Sequence, residues 1–174
     1  FRPGTWDSER GLPRYRVTVN EVRPLRQDFS FPLGCEGILL PALLMGRDGG
    51  TIATSGVVPE MIMKLYSLAR EGQIEPAKKI QFQMLDLIEV MLLGVDFPEG
   101  FRAGMTVRGF NMGRGRQHQS NAAQANIENI TRTIQCLIAE HGLVATPPGG
   151  CDLPAIDQQT VQDIVVRVMA QLSR

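Results

Sequence analysis

The lysines are the first side chains to consider for covalent chemistry. Only lysine among the side chains offers a primary amine that can lose its proton near neutral pH and add to a ketone carbonyl as a Schiff base. The sequence has three, Lys64, Lys78 and Lys79, and all three fall in stretches with helical periodicity. We expect them on outer helices, away from any site for carbonyl chemistry.

A second group is a cluster of arginines among glycines, comprising Arg108, Arg114 and Arg116 beside His118. Arginines on a glycine-rich turn can bind phosphate or carboxylate through paired hydrogen bonds. The alternative, which we favour, is a solvated loop whose arginines pair locally. The histidines, His118 and His141, are too isolated to suggest a metal site, and His141 before Gly142 fits a cation at a helix C-terminus. We predict neither a metal nor a cofactor.

The cysteines, composition and charge limit the class of protein. Cys35, Cys136 and Cys151 are odd in number and widely spaced, and they form neither a zinc motif nor a CxxC pair. We therefore expect buried, reduced thiols in a cytoplasmic protein. Eighteen basic residues balance eighteen acidic ones, which argues against nucleic acid or an anionic membrane as a partner. No apolar run approaches the roughly 20 residues that cross a bilayer.

Strand and helix patterns alternate in the first part of the chain. Short β-prone runs at 28–33 and 50–54 are each followed by a helical stretch, at 37–45 and at 59–70. This order predicts parallel strands joined by helices. Pro59 suits the first position of the second helix, and Gly72 suits the position after its end, where a positive φ is needed.

From Glu75 onward the apolar periodicity is helical throughout. It predicts a helix behind Pro76 that ends at Gly94, a helix over 99–108, and another ended by His141 and Gly142. A final helix is expected behind an N-cap at Asp157. These patterns divide the chain into an α/β segment, 1–72, and an all-helical segment, 73–174.

Three short motifs give the chain a recognisable order. They read Gly-Thr-Trp-Asp-Ser at 4–8, Asp-Phe-Ser-Phe-Pro-Leu-Gly at 28–34 and a glycine-rich run at 46–56 that leads into Val-Pro-Glu at 58–60. This order resembles the second half of the dihydrodipicolinate synthase and N-acetylneuraminate lyase family of pyruvate-dependent aldolase barrels. The resemblance implies strands six to eight of a (β/α)8 TIM barrel, followed by a helical C-terminal subdomain. Whole barrels of this type take about 250 residues, so 174 residues are too few for one.

The same resemblance assigns roles to particular residues. The family's Schiff-base lysine usually stands where this chain has Trp6, and an indole nitrogen cannot replace an amine because it is only an N–H donor. The glycine that ends the seventh strand and the isoleucine of the eighth line the pyruvate pocket in the family, and they match Gly34 and Ile52. The family's carboxylate-binding hydroxyls and its proton-relay tyrosine belong to the first half of the barrel, which has no counterpart here. Tyr15 and Tyr66 do not match that tyrosine.

Three functions remain open at this point. The resemblance favours a lyase-family protein whose intact relatives make or break carbon–carbon bonds of 2-keto acids such as pyruvate, although this chain alone is predicted to be inactive in that chemistry. A second possibility is a non-catalytic binding or assembly protein built on a half-barrel. A third is an enzyme of different chemistry that uses Asp7, Ser8 or Glu36. Open strand edges in a half-barrel further predict a homo-oligomer or a complementary chain segment.

Overall fold

The computed structural model describes residues 17–113, 115, 116, 118 and 121–151. It contains two strands, β1 (Pro32–Leu33) and β2 (Gly49–Gly50). The α-helices are α1 (Leu39–Leu44), α2 (Pro59–Arg70), α3 (Ile74–Leu93), α4 (Glu99–Val107) and α5 (Asn121–Ala139). A π-helix at Val17–Val22 and the 3-10 segments Glu36–Ile38 and Ala53–Gly56 are also present. Trp6, Asp7, Ser8, Tyr15, Arg114 and the helix expected behind Asp157 lie outside the described residues.

The two strands pair in parallel, as predicted, but they are much shorter than the β-prone runs suggested. Pro32 pairs with Gly49 and Leu33 with Gly50, and the Thr51 N–H continues the pairing to the Leu33 carbonyl at 2.7 Å. Each strand has one neighbour among the described residues, so few ladder hydrogen bonds are available to extend it. The predicted strand end at Ala53 and Thr54 is instead a 3-10 turn.

Helix α2 has the predicted boundaries because local signals set both of its ends. Pro59 occupies the first turn, where its missing N–H costs no hydrogen bond. Gly72 has φ +73°; its N–H donates to the Ala69 carbonyl at 3.2 Å, and the Gln73 N–H donates to the Leu68 carbonyl at 2.8 Å. This pair of bonds is a Schellman motif, which satisfies carbonyls left free at the helix end.

Helices α3, α4 and α5 confirm the helical periodicity after residue 73. Two glycines on α4 allow close packing: a β-carbon at Gly100 would stand 2.0 Å from the Met91 carbonyl oxygen on α3, and one at Gly104 would stand 2.9 Å from a Val57 methyl carbon. Such distances are far inside van der Waals contact, so glycine is required for α4 to approach α3 this closely.

One hydrophobic cluster joins the strand segment to the helices. Its buried side chains come from β1 and the segment after β2 as well as from all five α-helices. The largest fully buried ones are Leu39, Val57, Val58, Leu65, Met84, Leu87, Met91, Ile134 and Ile138. The α/β segment and the described helices therefore share a core across residue 72. Within the described part of the chain, no helix has the length and apolarity to cross a membrane.

The prediction of reduced thiols is wrong for two of the three cysteines. Cys136 on α5 and Cys151 form a disulfide, with their Cα atoms 5.6 Å apart, while Cys35 is free. Spacing alone gave no sign of this pair, because the chain after α5 first turns back along the helix. Two α5 side chains hold it there: Gln135 donates to the Ala145 carbonyl at 2.9 Å and Arg132 to the Gly150 carbonyl at 2.7 Å.

Candidate functional site

The carboxyl ends of β1 and β2 meet at one edge of the small sheet. Because the strands are parallel and in register from Pro32 opposite Gly49, Gly34 leaves β1 beside the Thr51–Ile52 segment that leaves β2. Loops at the carboxyl ends of parallel strands carry the active sites of α/β barrels. This edge is the place where the sequence motifs converge.

A buried carboxylate fixes the two strand ends to each other. Glu36 is 5% exposed, and its Oε1 atom accepts hydrogen bonds from the Thr54 backbone N–H at 3.0 Å and from the Thr54 hydroxyl at 3.1 Å. Thr54 is fully buried. Buried charges are costly unless they are hydrogen-bonded, so this pair holds the loop after β1 against the loop after β2.

Gln81 ties the same loop to helix α3. Its side chain is 6% exposed; Nε2 donates to the Glu36 carbonyl at 2.9 Å, and Oε1 accepts from the Leu40 N–H at 2.8 Å. The Leu40 N–H lies in the first turn of α1, where helix formation leaves N–H groups unpaired. One buried amide therefore sets the position of this loop relative to the helical part of the fold.

The structure places the two residues matched to the pyruvate pocket in different surroundings. Gly34 is exposed just after β1, and it is not among the glycines with positive φ. Ile52 is 7% exposed and belongs to the hydrophobic core. The strained turn that Gly34 would form at a positive φ is therefore absent, and the role of either residue in ligand binding stays a prediction.

The lysines lie on helices, as the periodicity predicted. Lys64 is on α2, Lys78 and Lys79 are on α3, and all three are exposed. Lys78 is paired with Glu75 at 3.0 Å. The geometry gives none of them a position at the strand ends.

Within the arginine cluster, Arg108 is engaged locally. Arg108 donates to the Leu143 carbonyl at 2.9 Å and forms an ion pair with Glu60. Arg102, on the same helix, donates to the Met112 carbonyl and is paired with Glu99 at 3.4 Å. These contacts favour a structural role for Arg108, and an anion site at the other arginines stays a prediction. The described residues contain no cluster of three or more side chains suited to a metal ion.

His141 does not match the expected cation at a helix end. The pKa of its imidazole is lowered, first by burial and then by the nearby charges of Lys64 and Lys79, while Glu140 opposes the shift. These surroundings favour the neutral ring, so His141 adds less positive charge at the end of α5 than an exposed histidine would.

Two cavities lie away from the strand ends. One, of about 330 Å³, lies between α5 and the segment that follows it and is lined by Ile127, Glu128, Thr131, Arg132, Gln135, Pro147 and Pro148. The other, of about 520 Å³, is lined by Asn20, Arg23, Pro24 and Gln27. Neither cavity includes Gly34 or Ile52.

Sequence reasoning named Glu36 only as a member of a third alternative and missed Thr54 and Gln81. Glu36 does not act alone, since its carboxylate is committed to Thr54. A usable signal existed for Gln81: it falls beside Ile80 and one turn before Met84, in the apolar stripe of the predicted helix. A glutamine in such a stripe must find buried hydrogen-bond partners.

Comparison with known proteins supports the resemblance in the motifs. The sequence pattern of the dihydrodipicolinate synthetase family matches residues 14–136. The chain belongs to this family. Trp6 precedes the matched range, so its correspondence with the lysine depends on the short motif alone.

Particular relatives give the extent of the similarity. An uncharacterised DapA-like lyase of Thermofilum pendens is 30% identical over 95 residues, which are 55% of this chain and 32% of that protein. A 4-hydroxy-tetrahydrodipicolinate synthase of Acetivibrio thermocellus is 25% identical over 117 residues, covering 67% of this chain and 38% of the synthase. The chain thus spans about a third of the length of the curated relatives it matches.

Solved structures show the same α/β fold. The N-acetylneuraminate lyase of Fusobacterium nucleatum matches with a TM-score of 0.58 and 26% identity, over 65% of this chain and 38% of the lyase. A structure of that lyase complexed with pyruvate matches with a TM-score of 0.57 and 24% identity, over 65% of this chain and 39% of the lyase.

Proposed function

We propose that this chain is the C-terminal part of a lyase barrel of the dihydrodipicolinate synthase and N-acetylneuraminate lyase type. In this proposal β1 and β2 are the seventh and eighth barrel strands, and the segment around Trp6 is the sixth. Residues 1–72 then form the partial barrel and residues 73–174 the helical subdomain. The parallel register of β1 and β2 and the partial coverage of the solved lyase support this assignment.

The ligand we propose is a 2-keto acid such as pyruvate, held at the strand ends with Gly34 and Ile52 at the pocket. The observation that carries the proposal is the buried contact between Glu36 and Thr54. The Thr54 N–H and hydroxyl donate to the Glu36 carboxylate at 3.0 and 3.1 Å, and these bonds hold the loops after β1 and β2 together. Gly34 is exposed there, so its backbone is available to a small anion. The similar Fusobacterium nucleatum lyase has been solved with pyruvate.

We propose that this chain binds a keto acid but does not form an imine with it. Imine formation needs an amine beside the bound ketone, whereas Trp6 stands at the matched position and the three lysines are exposed on α2 and α3. Glu36 cannot add covalently to the ketone without giving up its buried hydrogen bonds to Thr54. In this proposal Gly34 and Ile52 position the keto acid, and Glu36 holds the loops without reacting with it.

Borohydride trapping tests the missing amine. The chain is incubated with pyruvate and borohydride, and its intact mass is compared with that of the Fusobacterium nucleatum lyase treated in parallel as a reference. We expect no stoichiometric adduct on this chain. A stoichiometric adduct on Lys64, Lys78 or Lys79 would overturn the assignment.

A second candidate function is a non-catalytic binding or assembly protein, as a homo-oligomer or with a complementary chain segment. The observation that favours it is a set of exposed large apolar side chains, among them Leu25 (81%), Phe29 (52%), Leu93 (74%) and Phe97 (62%). Light scattering over a range of concentrations distinguishes a monomer from a homo-oligomer. A monodisperse monomer with no excess binding of a hydrophobic dye counts against this candidate. For either function we propose a cytoplasmic location.

A further inference from the structure

The segment after α5 is held against that helix by three side-chain hydrogen bonds and a disulfide. Residues 143–151 run back along α5, where Gln135 donates to the Ala145 carbonyl at 2.9 Å. Arg132 reaches further along the segment, to the Pro148 carbonyl at 3.0 Å and the Gly150 carbonyl at 2.7 Å. The Cys136–Cys151 disulfide closes the far end.

Burial is uneven along this segment. Leu143 and Val144 pack against the hydrophobic core, whereas every residue from Ala145 to Gly150 is exposed except Pro147. The hydrogen bonds from Arg132 and Gln135 are themselves exposed, and exposed bonds of this kind compete with water. Gly149 and Gly150 both have positive φ, at +87° and +80°, and glycines gain much backbone freedom when they are released.

The covalent bond is therefore the main restraint on residues 145–151. Its two sulfur atoms also differ in access: Cys136 is 2% exposed, while Cys151 is half-buried at the end of the segment. A thiolate from solvent can approach the Cys151 sulfur and displace Cys136, because exchange depends on access to the attacked sulfur. The bond is thus reachable from one side without opening the core.

We propose that the Cys136–Cys151 bond is a redox-sensitive latch that holds residues 145–151 over α5. One thiolate of a dithiol attacks the Cys151 sulfur, the Cys136 thiolate leaves and is protonated, and the second thiol of the reductant resolves the mixed disulfide. The protein gains two electrons and two protons as two thiols, and the dithiol becomes a disulfide. Residues 145–151 then leave α5, and the open cleft of about 330 Å³ that Pro147 and Pro148 form with α5 loses one wall.

A latch of this kind agrees with the proposed cytoplasmic location. Disulfides in cytosolic proteins are usually transient and are catalytic or redox-sensing rather than permanent. Closure needs an oxidised dithiol partner to run the same exchange in reverse. The folded-back segment keeps the two Cα atoms 5.6 Å apart, within the distance that a disulfide spans.

Backbone ¹⁵N relaxation measured on the whole chain tests the latch. The probe is dithiothreitol, the background is Cys35→Ser in every sample so that the free thiol does not exchange, and helix α2 is the internal reference. On reduction we expect order parameters of Ala145, Thr146, Gly149 and Gly150 to fall from about 0.85 to below about 0.6, with α2 unchanged. Cys151→Ser without reductant should match the reduced chain.

Three results would overturn the proposal. Unchanged order parameters in the reduced chain would show that the hydrogen bonds from Arg132 and Gln135 are sufficient by themselves. A fall across α2 and α3 as well would show that the bond supports the whole fold rather than one segment. Two thiols titrating at Cys136 and Cys151 in the protein kept free of reductant would show that the latch does not form.

Discussion

Gln81→Leu is expected to destabilise the fold by leaving the buried Leu40 N–H without its partner. The change removes the acceptor for the Leu40 N–H, 2.8 Å away, and one donor for the Glu36 carbonyl, 2.9 Å away. That carbonyl keeps the Leu39 N–H as a donor. Each buried group left unsatisfied costs about 1–3 kcal/mol. Leucine offsets little of this cost, because the apolar stem of Gln81 is already buried and the replacement adds little buried apolar area. We expect a net loss of about 1–3 kcal/mol in the free energy of unfolding.

Urea denaturation followed by far-UV circular dichroism measures this loss. With a slope of about 2 kcal/mol per molar urea, the midpoint should fall by roughly 0.5–1.5 M at an unchanged slope. The matched control is Gln83→Leu, the same replacement two residues along α3, at a half-buried position whose side chain has no hydrogen bond to any described residue. That control should change the stability by less than about 0.5 kcal/mol. Equal losses in both variants would refute the reasoning.

Three further changes test other parts of the account. Gly34→Val should abolish pyruvate binding measured by calorimetry. It should leave the free energy of unfolding within about 0.5 kcal/mol, because the residue is exposed and its φ is not positive. Retained binding would remove Gly34 from the pocket. Gly100→Ala should lower the free energy of unfolding in a urea melt by about 1–3 kcal/mol through overpacking, since its β-carbon meets the Met91 carbonyl at 2.0 Å. Gly56→Ala, whose β-carbon meets nothing within 4 Å, is the control. Equal melting curves would contradict the packing of α4 on α3. For His141, whose pKa is lowered from 6.5 in the folded state, the unfolded chain takes up the proton first as the pH falls. Stability should therefore decline as the pH drops below about 6.5, and His141→Gln should lessen that decline in melts at several pH values; an identical pH dependence would contradict the shift.

Local signals explain which elements the sequence could predict. Helix α2 was predicted to the residue because Pro59 and Gly72 determine its ends without help from the rest of the chain. The strand lengths were wrong because a strand continues only where a neighbour supplies hydrogen bonds. At Thr54 the backbone N–H donates to Glu36 instead.

Long-range contacts explain what the sequence could not predict. The disulfide depends on the chain turning back along α5, and the positions of Arg132 and Gln135 gave no indication that their partners would be carbonyls ten or more residues away. The Gln81 contacts cross 41 and 45 positions of sequence. Gly34 and Ile52 were predicted as a pair from family motifs, and the register of β1 with β2 is what brings their segments to one edge.

The central claim is that the strand ends are a site for a 2-keto acid without an amine. Amide and methyl chemical shifts, recorded while pyruvate is added to the ¹⁵N- and ¹³C-labelled chain, test it most directly, with propionate as the matched acid that lacks the ketone. We predict saturable shifts at Gly34, Cys35 and Ile52 with pyruvate and weaker ones with propionate. Absence of shifts at these residues, or shifts confined to the cavity beside Arg23, would contradict the claim.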